Sequence, residues 1–275
     1  MAVMRSVLYV PGNNDKMIGK ASGLSADIVT LDLEDSVPPA EKANARKISA
    51  AALSDVGKDG SEVYVRLNNW ETLMTDDDLE AVVQKGLHGV TLAKCGHPDD
   101  VKRLDWKLDE LERRRGLARG SIKISLLLET AKGVIHAYPS CAASPRVVSA
   151  IFGAVDYTKD MRVKLTSESE EQKYARRHIA VAARAAGIVA LDAPFIAYQD
   201  MEAFEANVRE GRQMGYEGRM IIHPSQVEVC NRMYAPDPDD VVWAKGVVKA
   251  FEEEAIAKGS AAIFYNGRWW TPRST

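Results

Sequence analysis

The chain is 275 residues long, 46% hydrophobic and 27% charged, which excludes a small stapled scaffold and a disordered or collagen-like polymer and leaves enough apolar residues for one large domain or two ordinary ones. Its 36 Lys and Arg against 39 Asp and Glu give a formal net charge of −3, so no general electrostatic attraction draws it to nucleic acid or to an anionic membrane. Cys95, Cys141 and Cys230 are widely spaced without a Cys-x-x-Cys pair, the apolar stretch around residues 179–191 is broken by Arg184 and falls short of the ~20 residues of a spanning helix, and no cleavage-site pattern follows the start; the expectation is a soluble, cytoplasmic protein with neither a disulfide framework nor structural zinc.

Short β-branched runs alternate with longer helical patterns from end to end, the signature of repeated strand and helix units around a parallel sheet. In chain order the runs cover residues 6–11, 28–35, 62–68, 89–94, 122–129, 147–156, 188–195 and 219–225. After the third run, Asp76 reads as the N-cap of a helix carrying Leu79, Val82 and Val83; after the fourth, Asp99 reads as the N-cap of a helix whose Val101, Leu104, Leu108 and Leu111 form one apolar stripe. After the sixth, Ser167 and Glu170 read as a capping box opening a long helix toward Ala186, which Gly187 stops. Eight alternations in about 225 residues match a closed (β/α)8 TIM barrel, with an open doubly wound sheet as the rival, because local pattern does not reveal closure. Residues 1–235 are assigned to the barrel. Residues 236–275 are read as a C-terminal helical extension and tail: a helix over 239–258, then an irregular segment over 259–275 whose Phe264, Tyr265, Trp269 and Trp270 need a surface to pack on.

Polar residues gather at the C-terminal ends of these runs, where active sites of barrels sit. In the second run, Thr30, Asp32 and Glu34 fall on one face by the two-residue period, and Asp35 follows. Arg66 closes the third run, and pairing with Glu34 or Asp35 would satisfy both sides; the guanidinium is either a purely structural partner or a ligand for an enolate or carboxylate. Glu129 ends the fifth run, and Asp156 ends the sixth in Gly153-Ala154-Val155-Asp156. On neighbouring strands ~4.8 Å apart, two such carboxylates repel unless a cation lies between them, and so few protein oxygens suit Mg²⁺, which keeps water or substrate oxygens; the alternative is that each caps a following helix. His223, at the end of the eighth run, is either functional or bonded to its own loop. The remaining histidines are scattered, and the sequence contains no HExxH, GxGxxG, Walker A or GxSxG motif.

Five stretches carry a resemblance: Ser6-Val7-Leu8-Tyr9-Val10-Pro11-Gly12, Leu31-Asp32-Leu33-Glu34-Asp35-Ser36-Val37, Leu128-Glu129-Thr130-Ala131, Gly153-Ala154-Val155-Asp156 and Ile222-His223-Pro224-Ser225-Gln226. In this order, over nearly the whole chain, they resemble the citrate lyase β-subunit-like family of the HpcH/HpaI aldolase superfamily, which includes malyl-CoA and citramalyl-CoA lyases. The resemblance implies a (β/α)8 barrel, a homotrimer, and use of Mg²⁺ to break or make the bond between an acyl-CoA and a 2-oxo acid. It maps metal ligands onto Glu129 and Asp156, the oxo- or enolate-binding arginine onto Arg66, and CoA-contacting positions onto Tyr9 and Lys20, with Asn14 where relatives often carry a CoA-contacting arginine. Backbone N–H groups around Val155 and Asp156 are expected to hold a distal carboxylate.

Relatives typically end in a segment that covers the neighbouring subunit's site and supplies a catalytic aspartate. Here that run reads Asn266-Gly267-Arg268-Trp269-Trp270-Thr271-Pro272, with Thr271 at the aspartate position, and a threonine does not shuttle protons near neutral pH. Either another acid, such as Glu34 or Asp35, takes that role, or the reaction differs from the lyase norm. The expected function is a Mg²⁺-dependent lyase that cleaves a 3-hydroxyacyl-CoA of the malyl-CoA or citramalyl-CoA type into an acyl-CoA and a 2-oxo acid. The alternatives are a malyl-CoA thioesterase, an acetyl-CoA-dependent malate or citramalate synthase, and a non-catalytic paralogue.

Overall fold

Each of the eight apolar runs contains a strand, because each is short, rich in Val, Ile and Leu, and bounded by polar residues or glycine. The computed structural model describes residues 3–166, 168–256 and 262–271. Its elements are β1 (Ser6–Pro11), α1 (Asp15–Ala21), β2 (Ile28–Asp32), α2 (Lys42–Val56), β3 (Glu62–Leu67), α3 (Thr75–Val82), β4 (Gly89–Leu92), α4 (Pro98–Arg114), β5 (Lys123–Leu128), α5 (Ala131–Ile135), α6 (Ala137–Cys141), β6 (Val147–Phe152), α7 (Ala154–Asp160), α8 (Lys173–Ala186), β7 (Val189–Asp192), α9 (Met201–Gln213), β8 (Gly218–Ile221) and α10 (Ser225–Met233). The eight strands are parallel and close into a barrel in sequence order, which decides between the two architectures.

Closure depends on one backbone approach. β8 pairs with β1 through Ser6 opposite Arg219 and Leu8 opposite Ile221. At the head of β8, a Cβ on Gly218 would lie 1.8 Å from the carbonyl oxygen of Met4, so only glycine fits the seam. The strands then divide their side chains by parity. Val7, Tyr9, Ile28, Tyr64, Ile151 and Met220 fill the barrel interior, while Leu8, Val29, Val63, Val90, Ile124 and Ala150 join the layer that includes helix residues such as Leu53, Leu104 and Ile179. Burial on both faces is why the strands read as nearly continuous apolar runs.

Helix starts differ from the expectations. Asp76 lies in the first turn of α3, whose N-cap is Met74. Asp99 is likewise inside α4: His97 is the cap and accepts the Asp99 N–H, while Asp100 returns a bond to the His97 N–H, with Pro98 fixing the first helical position. Ser167 lies outside the described residues. Glu170 opens a short 3₁₀ turn, Glu170–Gln172, and α8 begins only at Lys173, so Glu170 is not its third residue. Gly187 does end α8, at φ 72°.

Residues Ala235–Thr275 form a second compact unit. It contains α11 (Pro238–Ala250), a π-helical turn (Phe251–Ile256) and an antiparallel hairpin of β9 (Ile263–Tyr265) and β10 (Arg268–Trp270). The segment expected to be irregular is therefore partly β-structure, and α11 keeps α-helical geometry only to Ala250. The reason is the Asn266-Gly267 pair, at φ 46° and 79°, which makes the tight turn a two-residue hairpin needs. Within this unit Trp270 packs edge-on against Trp243 with ring centres 4.9 Å apart, and Val247 and Ile263 form its small core. Among the described residues of the whole chain, no helix is long and apolar enough to cross a membrane.

The seam makes a direct test. Gly218→Ala is expected to destabilise by about 1–3 kcal/mol, the usual cost of forcing atoms into a packed site. Gly19→Ala, in α1 with nothing within 4 Å of the added Cβ, is expected to be neutral or to stabilise by up to about 1 kcal/mol. Urea unfolding of both variants checks the contrast; equal midpoints would remove the steric argument for closure.

Candidate active site

Parity and register bring Asp32 and Arg66 together. They are partners across β2 and β3 and both point into the barrel mouth. Arg66 donates from Nε to Asp32 Oδ1 and from Nη2 to Oδ2, each at 2.6 Å, and its Nη1 lies 3.0 Å from Glu34 Oε2. Asp32 also accepts the N–H groups of Glu34, at 2.8 Å, and Ser36, at 3.1 Å, which turns the chain over the end of β2. Burial opposes ionisation of Asp32, but the charge and bonds of Arg66 and these N–H donors outweigh it and hold the carboxyl below its usual range. The expected pair of Arg66 with Glu34 is present, the Asp35 alternative is not, since Asp35 pairs with Lys94 at 3.4 Å, and Asp32 is a further and principal partner.

Glu129 follows β5 and is 2% exposed. Its Oε1 accepts the Lys94 backbone N–H at 2.9 Å. A Cβ on Gly153 would fall 2.6 Å from Glu129 Oε2, so the missing side chain at the end of β6 is what leaves room for this carboxylate. Burial, reinforced by the charges of Glu34 and Asp156, pushes the Glu129 carboxyl up to about 8 against the pull of Arg66 and the Lys94 N–H. Burial also raises Glu34, although Arg66 and Lys94 pull the other way. β5 and β6 are adjacent, with Leu128 opposite Phe152, and Asp156 lies half-buried in the first turn of α7 beside the exposed Val155; no side chain caps that turn.

Two lysines that the sequence analysis did not single out complete the mouth. The Lys94 ammonium contacts Glu34 and Asp35. Lys42 is buried and donates to the carbonyls of Leu33 and Glu34, at 2.6 and 2.7 Å, and to Asn68 Oδ1 at 2.8 Å, so it holds the segment that carries the acid pair. Asn68 in turn donates to Asp78, which pairs with Arg46 at 2.7 Å. Lys94 closes the fourth strand run, the same position that drew attention to Glu129, and Lys42 and Arg46 are four residues apart on one face of α2.

The other expected positions are not gathered in one place. Tyr9 is inside the barrel and borders the cluster, with the Arg66 guanidinium 5.3 Å from its ring centre. Lys20 is exposed on α1. Asn14 caps α1 by accepting the Met17 N–H. His223 is half-buried, bonded to Ser225 and stacked on Tyr198.

Among the described residues, no three His, Cys, Asp or Glu side chains gather in a metal-holding group. The donor chemistry nevertheless fits a hard divalent ion. Five carboxylic acids (Asp32, Glu34, Asp35, Glu129 and Asp156) meet three cations (Lys42, Arg66 and Lys94), a formal excess of two negative charges once all five are ionised. Glu129 and Asp156 are the carboxylates that could hold such an ion, since Mg²⁺ takes few protein oxygens and keeps water or substrate in its other positions.

The HpcH/HpaI aldolase/citrate lyase family model matches residues 5–224. The chain is 36% identical to the citrate lyase subunit beta of Leuconostoc mesenteroides subsp. cremoris, over 96% of this chain and 87% of that protein. It is 30% identical to a (3S)-malyl-CoA thioesterase of Cereibacter sphaeroides, over 94% and 87%, and 30% identical to the mitochondrial citramalyl-CoA lyase of Homo sapiens, over 93% and 78%. Its fold is similar to that of the citrate lyase beta subunit of Mycobacterium tuberculosis complexed with oxaloacetate and magnesium, at TM-score 0.71 and 29% identity over 86% of this chain and 98% of that one. It is also similar to CitE from the same organism in complex with magnesium, acetoacetate and coenzyme A, at TM-score 0.73 and 26% identity over 98% and 92%.

The raised Glu129 carboxyl has a consequence for stability. Unfolded, it ionises near 4.5; folded and metal-free, it keeps its proton up to about 8. The folded state therefore binds more protons across that window, and its stability falls as pH rises from about 4.5 to about 8. Glu129→Gln is expected to flatten this fall and to be the more stable protein at pH 8 in EDTA. Urea midpoints at pH 5 and pH 8 check it, and an unchanged fall in the variant would contradict the assignment.

Proposed function

Because the chain belongs to the HpcH/HpaI aldolase/citrate lyase family, we propose that it is a Mg²⁺-dependent carbon-carbon lyase that cleaves a 3-hydroxyacyl-CoA of the malyl-CoA or citramalyl-CoA type into an acyl-CoA and a 2-oxo acid. The observation that carries the reading is the juxtaposition of Arg66, clamped by Asp32 and Glu34, with the carboxylates of Glu129 and Asp156 in one barrel mouth. Glu129 and Asp156 would hold the ion. When bound, Mg²⁺ supplies Lewis-acid polarisation of the substrate oxygens that become the 2-oxo acid.

The chain's own groups do the rest. Cleavage moves the hydroxyl proton to a base, turns that carbon into a carbonyl, and leaves the bonding electron pair on the acyl-CoA as a thioester enolate, whose α-carbon then takes a proton. Arg66 keeps N–H donors on Nη1 and Nη2 beyond those given to Asp32 and Glu34, and a guanidinium fixed on two carboxylates stabilises the enolate oxygen without reorganising. Glu34 and Asp35 are the candidates to accept and return the proton, and burial raises the Glu34 carboxyl above its ordinary value. The backbone N–H groups at Val155 and Asp156 are assigned to the distal carboxylate. Tyr9 and Lys20 remain the proposed CoA contacts, and the assembly is proposed to be a cytoplasmic homotrimer whose residues 236–275 cover a neighbouring site, with Thr271 in place of an aspartate.

Product analysis with malyl-CoA and citramalyl-CoA in Mg²⁺ tests the reading. A 2-oxo acid plus acyl-CoA supports it, whereas free CoA plus a hydroxy acid assigns hydrolysis, the activity in the name of the similar thioesterase. Turnover of neither thioester contradicts both. Arg66→Lys is expected to lower kcat by at least about tenfold, or ~1.4 kcal/mol in the barrier, because a point charge cannot replace the planar fork on Asp32. A smaller loss in steady-state kinetics would make Arg66 a structural residue.

A further inference from the structure

Lys94 stands where the backbone favours glycine. It lies two residues past β4 at φ 49°, in the left-handed region that strains a residue with a side chain. The turn has two results. It aims the Lys94 N–H at Glu129 Oε1, 2.9 Å away, and it sends the side chain back past β3 to Glu34 Oε1, with Asp35 at 3.4 Å. The other oxygen of Glu34 is the one that holds Arg66 Nη1. One residue therefore touches a carboxylate assigned to the cation and the acid that fixes the guanidinium.

Glycine would make this turn without strain and would still donate its N–H to Glu129, so the backbone alone does not account for a lysine. We propose that Lys94 is a positioning residue: its ammonium holds Glu34, and through Glu34 sets Arg66, while its main chain sets Glu129. Without the ammonium, Glu34 Oε1 is a buried acceptor facing the like charges of Asp35 and Glu129. Repulsion turns it away and releases Arg66 Nη1 from one of its two anchors. Glu129 keeps its backbone bond. The proposal rests on the lyase reading, and the two are separable by experiment.

The test uses the full chain with Lys94→Gly, Lys94→Met and Lys94→Arg, reading thermal midpoint, Mg²⁺ affinity by calorimetry, and kcat and KM for whichever of the two thioesters the wild type cleaves. Lys94→Gly is expected to melt close to wild type, because relief of the left-handed strain offsets the loss of the ammonium from Glu34, and to bind Mg²⁺ at least as tightly, because a positive charge has left the site. Its kcat is expected to fall about 10- to 100-fold with KM within roughly threefold, the pattern of a misplaced catalytic group. Lys94→Met should share the loss, and Lys94→Arg should recover most of it. Wild-type kcat in Lys94→Gly overturns the proposal and leaves the lyase reading standing. Joint loss of Mg²⁺ binding and turnover also overturns it, since that marks general collapse of the site. A wild-type chain that cleaves neither thioester overturns both.

Discussion

The bidentate pair between Arg66 and Asp32 is the interaction on which the mouth of the barrel is organised. Both groups are almost wholly buried, and taking either out of water alone would cost several kcal/mol. The pair is stable because further bonds support both partners. Glu34 takes Nη1 of the guanidinium, and the carboxylate of Asp32 receives the N–H groups of Glu34 and Ser36. The same bonds that neutralise the pair thereby fold the segment after β2 over the mouth. Lys42 and Asn68 hold that segment from below by its carbonyls. Together these bonds make a rigid cationic fork whose orientation is set before any substrate arrives, the condition under which electrostatic stabilisation is most effective.

Around this fork the charge does not balance, and the imbalance is local. Glu129 lies beside Glu34 and Asp156 in a place that burial makes hostile to a lone carboxylate, and Gly153 gives up its side chain to let it stand there. A fold gains no stability from that arrangement. It is the kind of departure from good packing that barrels reserve for the C-terminal ends of their strands.

Much of this is legible in the sequence alone, and the misses have physical causes. Strand positions can be read because a two-face-buried strand is a continuous apolar run, and Arg66, Glu129 and Asp156 stand out as polar ends of such runs. The Arg66–Glu34 pair is legible from the two-residue period, but the stronger bond to Asp32 is missed, because nothing in the sequence shows that Asp32 lies directly opposite Arg66 across β2 and β3. Lys94 ends the fourth run as Glu129 ends the fifth, but its reach to both Glu34 and Glu129 depends on a left-handed turn that leaves no mark on a sequence when the residue is not glycine or asparagine. The caps at Asp76 and Asp99 slip because Met74 and His97 are not favoured cap residues. Closure of the barrel is beyond local pattern altogether, since it turns on Gly218 meeting the backbone of Met4.

The central claim is that the excess of carboxylate at the mouth is a cation site shaped around Glu129 by the absent side chain of Gly153. Calorimetric titration of Mg²⁺ into the metal-free full chain, beside the Gly153→Ala variant, tests it most directly. The expected result is one ion bound per wild-type chain and binding weakened by at least about tenfold in the variant, a loss of ~1.4 kcal/mol. Equal Mg²⁺ binding by the two proteins, or none by either, would contradict the claim.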